Sequence, residues 1–218
     1  MYLTQMHLNP ARRGTRHLLA SPQRMHAAVM SAFVPGTAAA SDAGRVLWRV
    51  DRHETTCTLF ISSPHEPELT HLVEQAGWPA AAAAGWRTVA TGAFLGRLEK
   101  EQQWVFRLTA NPVRSEPAPN GGRGKRYGHV TVGQQEEWLR SRSAGWGFDT
   151  LAVSVTNRRH LSFERRTGDR SRSVTLATAT FDGLLRVTDP DALRAMLVSG
   201  AGRAKGYGCG LMTLAPAR

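Results

Sequence analysis

The chain has 218 residues, 41% apolar and 21% charged, which fits a folded protein with a sizeable core and excludes a disordered one. No stretch approaches the roughly 20 apolar residues of a membrane span, and the opening MYLTQMHLNPARRG lacks the apolar run of a signal peptide. Cys57 and Cys209 stand alone and far apart, so neither a zinc pattern nor a disulfide framework is expected, and a soluble, cytoplasmic protein with no membrane partner is.

The formal net charge is +11, unevenly spread. Residues 1–110 carry 11 basic and 8 acidic groups, residues 111–218 carry 17 and 9. All of the 28 basic residues except Lys100, Lys125 and Lys205 are arginine. The arginine fork suits phosphate and base edges better than an ammonium does. A surplus concentrated in one half predicts a polyanion partner, nucleic acid first.

In chain order, YLTQMHL (2–8) alternates as a strand does. After the basic loop NPARRGTRHLLA comes a helix over 21–33, with Ser21 as N-cap and Pro22 at its first position. RVLWRVDR (45–52) and TCTLFISS (56–63) read as paired strands, and PELTHLVEQAG (67–77) as a helix ending at Gly77. The Ala-rich stretch 79–97 shows no periodicity, and QWVFRLTANP (103–112) is a strand stopped by Pro112. VRSEPAPNGGRG (113–124) is a turn-rich linker. KRYGHVTV (125–132), FDTLAVSVT (148–156) and HLSFERR (160–166) read as strands, with a helix over 133–144. Residues 173–189 predict a strand pair turning at Asp182-Gly183. A helix over 189–200, capped by Asp189, and a last strand 211–216 follow. The order βαββαβ twice over predicts an α+β fold of two ferredoxin-like (RRM-like) domains, 1–115 and 116–218, each an antiparallel sheet with helices on one face.

Three features bear on chemistry. His26 sits in the second turn of the 21–33 helix, at the edge of the stripe Met25, Ala28, Val29, Ala32 and Phe33. It is either a packed, structural histidine or a proton carrier. A helix N-terminus disfavours imidazolium by roughly 0.3–1 kcal/mol, which keeps the ring neutral near pH 7 and makes the same end attractive to phosphate.

The second feature is NRRHLSFERRTGDRSR (157–172), which sets Arg158, Arg159, Arg165, Arg166, Arg170 and Arg172 against Glu164 and Asp169, net +4 in 16 residues. It reads as a basic hairpin sized for a ladder of phosphates. The third is GAGRAKGYGCG (200–210), with Gly200, Gly202, Gly206, Gly208 and Gly210 around Arg203 and Lys205. It lacks a Gly-Lys-Ser/Thr ending and runs from helix to strand, which argues against an NTPase or dinucleotide enzyme. Its glycines admit a phosphodiester, make a tight connection through positive φ angles, or do both together.

No metal-ligand spacing is present among the eight histidines or the carboxylates, so no metal and no cofactor is expected. A nuclease built on these residues would use the RNA 2′-hydroxyl as nucleophile, with a base, an acid and cations around the phosphate.

With these residues on the page, the chain resembles the CasE-type CRISPR-associated endoribonucleases, the repeat-cleaving subunit of the type I-E Cascade complex. The resemblance rests on YLTQMHLNPARR, LASPQRMHAAV, FRLTANPVR followed by GKRYGHVT, EEWLRSRSAGWGF and GRAKGYGCGLMTLAP, in that order. It implies two ferredoxin-like domains and metal-independent cleavage of the CRISPR repeat hairpin RNA at the 3′ base of its stem. It further implies a 2′,3′-cyclic phosphate end, continued binding of the product, and other Cascade subunits as partners. It implies His26 as the catalytic histidine. The family's neighbouring tyrosine is Gln23 here, and its following basic residue is Ala27. Arg24, Lys205 or an arginine of 157–172 could then supply the cation, Gln23 a hydrogen bond to phosphate, and residues 200–210 the loop bordering the RNA. A non-catalytic hairpin-binding subunit with a decayed site is the alternative.

Overall fold

The computed structural model describes residues 1–37, 44–54, 56–79, 85–116, 125–167 and 170–217. The first unit runs β1 (Tyr2–Leu8), α1 (Arg13–Leu19), α2 (Pro22–Met30), β2 (Leu47–Arg52), β3 (Cys57–Ser63), α3 (Thr70–Ala76) and β4 (Trp86–Ala90). Its antiparallel sheet has the order β2-β3-β1-β4. After a short α4 (Gly92–Gly96) the second unit begins with β5 (Gln103–Ala110). A ribbon of β6 (Val113–Glu116) and β7 (Lys125–Gly128) leads to α5 (Val132–Ser143). Then come β8 (Phe148–Thr167), β9 (Arg170–Val187), α6 (Pro190–Ser199) and β10 (Met212–Pro216). This sheet, β10-β5-β9-β8, repeats the first unit's topology. Both are ferredoxin-like. Among the described residues no helix is long and apolar enough to cross a membrane.

Each unit has its own core. Met6, Leu8, Leu59, Ile61, Met25, Val29 and Leu72 fill the first, and Phe106, Phe148, Phe181, Trp138 and Leu193 the second. Met25 and Val29, four apart on α2, aim one helical face at the first sheet.

Several expectations change. The strand at 103–112, grouped above with the first half, pairs with β9 and β10 in the second sheet. The first sheet's fourth strand is instead β4, inside the Ala-rich stretch, of which 80–84 lie outside the described residues. Of the segment at 125–132 only Lys125–Gly128 is a strand, paired with β6 in a ribbon, and most of the linker, 117–124, lies outside the described residues. The two strands expected at 148–166 are one 20-residue strand. Asp182-Gly183 is no turn: both residues lie inside β9. Gly183 is there because a Cβ would meet the Ala152 carbonyl at 2.2 Å and the Phe106 ring at 2.8 Å.

The basic loop after β1 contains a helix, α1, whose sequence hides it because only Thr15 and Leu18 are buried. It is held by tertiary bonds at the end of α3: Thr15 Oγ1 donates to the Ala76 carbonyl at 3.0 Å, and Arg12 Nη1 to the Val73 and Gly77 carbonyls.

A buried arginine joins the two units. Arg49, on edge strand β2, is 2% exposed. Its guanidinium grips Asp51 through two bonds of 2.7 and 3.0 Å. It also crosses to the second sheet, donating to the carbonyls of Arg107 (2.8 Å) and Leu211 (3.1 Å) and to Thr213 Oγ1 (3.0 Å). Arg107 in turn lies 3.6 Å from Asp51 and 2.6 Å from Asp182. A buried guanidinium satisfied this fully is geometrically demanding, so it fixes how the sheets meet.

Candidate functional site

The α2 helix begins at Pro22 as its sequence predicts, although Ser21, at the N-cap, makes no side-chain cap bond. Burying Met25 places the next residue, His26, at the half-buried margin of the helix, facing the second unit. There it meets the glycine loop: a Cβ built on Gly206 would lie 3.5 Å from His26 Nε2. Nδ1 is buried and has no partner.

The loop from α6 to β10 reaches α2 and β2 through close packing. Gly200, Gly202, Gly208 and Gly210 all have positive φ, between 69° and 93°. A Cβ at Gly200 would collide with Leu47 at 2.6 Å, and one at Gly208 with the Trp48 ring at 2.7 Å. These glycines serve backbone conformation, and Gly200 and Gly208 also close contact between the units, which is the tight connection of the sequence reading. Gly206 differs. Its φ is unremarkable, and the space a side chain would fill lies in front of the imidazole. Ala204, beside it, takes a left-handed φ of 61°, a conformation that costs a non-glycine residue about 1 kcal/mol or more.

The residue that sequence reasoning missed is Arg45, just before β2. Burial pushes the His26 pKa below 6.5, and the positive charge of Arg45 pushes it further the same way. Burial, then Arg45, also lowers the Lys205 ammonium from its ordinary value. Among the described residues no carboxylate contributes to either shift, and the charges that act on the imidazole and on the ammonium are positive. Arg45 is 19 residues from His26 and 160 from Lys205, so no local pattern could have exposed it.

Gln23 Oε1, His26 Nδ1, Arg45 Nε and Trp48 Nε1 are all buried without a hydrogen-bond partner among the described residues. Buried polar atoms are normally satisfied, so each of these four calls for a partner, water or a bound group. Arg24 is exposed on α2, as is Ala27, and Arg203 is exposed on the loop.

The long β8–β9 hairpin reaches the same place. Phe163 meets Tyr207 edge-on, ring centroids 4.9 Å apart. Residues on alternate sides of a strand separate Arg158 from Arg159. Arg158 donates to the Val130 carbonyl at 3.1 Å. Arg159 lines a cleft with Trp48 and Tyr207. Arg172 is exposed. The side chains of Arg165, Arg166 and Arg170 lie outside the described residues, but their backbone pairs across the hairpin, Arg165 with Arg172, Arg166 with Ser171, Thr167 with Arg170. The structure therefore brings together His26, Gln23, Lys205 and the base of the hairpin. Among the described residues no group of three His, Cys, Asp or Glu could hold a metal ion. Cys209 is wholly buried, its thiol pushed up to about 12.

The chain matches a family model described as CRISPR associated protein over residues 1–216. It is 29% identical over 227 residues to the CRISPR-associated endoribonuclease Cse3 of Thermus thermophilus, covering 99% of this chain and all of that one. It is 28% identical over 163 residues to the Cascade subunit CasE of Escherichia coli K12, covering 72% and 79%. The structure of T. thermophilus Cse3 bound to an RNA representing a pre-cleavage complex superposes with a TM-score of 0.77 at 28% identity, over 99% of this chain and 98% of that one.

Proposed function

Because the chain belongs to the CRISPR associated protein family, we propose that it is an endoribonuclease that binds the CRISPR repeat hairpin and cuts precursor RNA at the 3′ base of the stem. It acts in the cytoplasm, keeps the product and joins other Cascade subunits. The observation that carries this reading is His26: an imidazole held neutral by burial and Arg45, packed beside Gly206 of the glycine loop.

His26 Nε2 takes the proton of the 2′-hydroxyl as the 2′ oxygen attacks the adjacent phosphorus. The bond to the 5′ oxygen breaks, leaving a 2′,3′-cyclic phosphate and a 5′-hydroxyl. Arg45 and Lys205 face the charge that builds on the pentacoordinate phosphate, where fixed cations in a half-buried site count for more than in water. Lys205, made more acidic by burial and by Arg45, supplies the proton to the departing oxygen. Gln23 offers its amide to a phosphate oxygen, the part a tyrosine hydroxyl would otherwise play. The hairpin arginines, with Arg24 and Arg203, hold the stem by its backbone, since the deep, narrow major groove of A-form RNA keeps side chains from its bases. No step calls for a metal ion.

The test is incubation of the wild-type chain with repeat RNA in EDTA, read on a denaturing gel. A single cut at the stem base, lost when the nucleotide before the scissile phosphate is 2′-deoxy, is the expected result. Tight binding with intact RNA would identify a non-catalytic hairpin-binding subunit instead.

A further inference from the structure

Against α2, between the two sheets, lies a cleft of about 390 Å³ that Pro22 lines and His26 does not. Pro22 and Met25 line it from α2, Trp48 and Arg52 from β2, Arg159 from β8, and Tyr207 from the glycine loop. The acids nearby are already matched. Asp51 is held by Arg49 and Arg107. Asp182 is held by Arg107 and by Thr156, whose hydroxyl donates to it at 2.6 Å. Arg52 and Arg159 remain. They come from different sheets, and no ion pair to either occurs among the described residues; Arg52 donates only to the Leu19 carbonyl, at 3.3 Å.

We propose that this cleft is a second RNA subsite, taking the phosphate and sugar of a single-stranded nucleotide that flanks the hairpin. Two guanidiniums brought together without an anion are in the state a phosphate relieves. Burial, and next the charge of Arg159, depress the Arg52 pKa, which reports the same unrelieved repulsion. Trp48, 4% exposed, lines the same wall, and its indole N–H, buried behind it, has no partner among the described residues. The volume is that of a small-ligand site and far too small for a duplex, which excludes the stem itself. The path is continuous. Gly206 faces the imidazole, and the next two residues, Tyr207 and Gly208, already line the cleft. A strand that leaves the scissile phosphate past Tyr207 enters it.

This inference rests on the chain being an RNA-cutting enzyme, and the experiment separates the two. Binding is measured in the His26→Ala background, so that RNA stays intact, with a bare repeat hairpin and with the same hairpin carrying short single-stranded extensions. The extensions are expected to tighten binding several-fold. In Arg52→Gln that gain disappears and the salt dependence for the extended RNA falls by about 0.7 in log–log slope, one single-strand phosphate. Arg52→Lys, which keeps the charge, retains most of the gain; a thermal melt confirms that each variant is folded. An equal gain in Arg52→Gln, or no gain in the parent, overturns the subsite while leaving hairpin cleavage standing. Failure of the parent to bind either RNA overturns both.

Discussion

Phe163, on the long β8 strand, and Tyr207, in the glycine loop, meet edge to face at 4.9 Å. This contact ties the basic hairpin to the segment that faces His26. An aromatic pair of this kind contributes about 0.5–1.5 kcal/mol beyond its buried area, enough to hold a short loop in place. Phe163→Ala is expected to slow cleavage several-fold at saturating RNA, with Phe163→Tyr restoring most of the rate. A rate unchanged in single-turnover assays would separate the hairpin from the loop.

His26→Ala should lower the cleavage rate by about 10²–10⁴-fold, the usual cost of losing a general acid–base group. Hairpin affinity, measured by filter binding, should change little, because phosphate contacts to many arginines dominate it. Undiminished cutting would remove His26 from the mechanism.

The pH profile carries a sign. The folded pKa of His26 lies below 6.5 because of burial and then Arg45. A base must be unprotonated, so the acid limb of kcat/KM should have its midpoint below pH 6.5. Arg45→Gln removes the second cause and leaves burial, so the acid limb should move up toward 6.5 without passing it, while the plateau falls. A limb that stays in place would show that Arg45 does not face the catalytic group.

Two glycines of one loop should behave oppositely. Gly208→Ala places a Cβ 2.7 Å from the Trp48 ring at a φ of 80°, so the melting temperature should fall. Gly206→Ala meets only ordinary contact distance, so the melt should be nearly unchanged while cleavage slows, its methyl standing 3.5 Å from Nε2.

Arg49→Ala should destabilise the chain by about 3–5 kcal/mol, since it strands Asp51 and the carbonyls of Arg107 and Leu211. Thermal denaturation should show a drop on the order of 10 °C. Asp182 gives the same junction an acid limit. Burial opposes its charge, but the bonds from Arg107 and Thr156 outweigh that and hold the carboxyl below 3.8. Its stabilisation is therefore complete above 3.8 and lost as pH falls through the lower, folded value. Asp182→Asn should flatten that part of the acid denaturation curve.

Much of this was legible in the sequence, and the gaps have physical causes. The helix of His26 was readable because Pro22 and the spacing of Met25 and Val29 are local signals. Periodicity also marked 103–110 as a strand, but alternation tells which faces are buried and says nothing about which sheet receives them; Phe106 and Leu108 could have filled either core. Asp182-Gly183 carried turn chemistry into a strand because the aspartate was needed by Arg107 and the glycine by the Phe106 ring. Arg45 left no trace, since its partners His26 and Lys205 meet it only after both sheets have formed.

The junction held by Arg49 has one more consequence. The two repeats share a topology but divide the labour: one carries the imidazole and Arg45, the other the ammonium, the glycine loop and the long hairpin. On the mechanism proposed above, neither repeat made alone would hold more than half of the reacting groups. Cut between β4 and β5, the chain becomes a reporter of reassembly, with RNA cleavage returning only when the two pieces find each other.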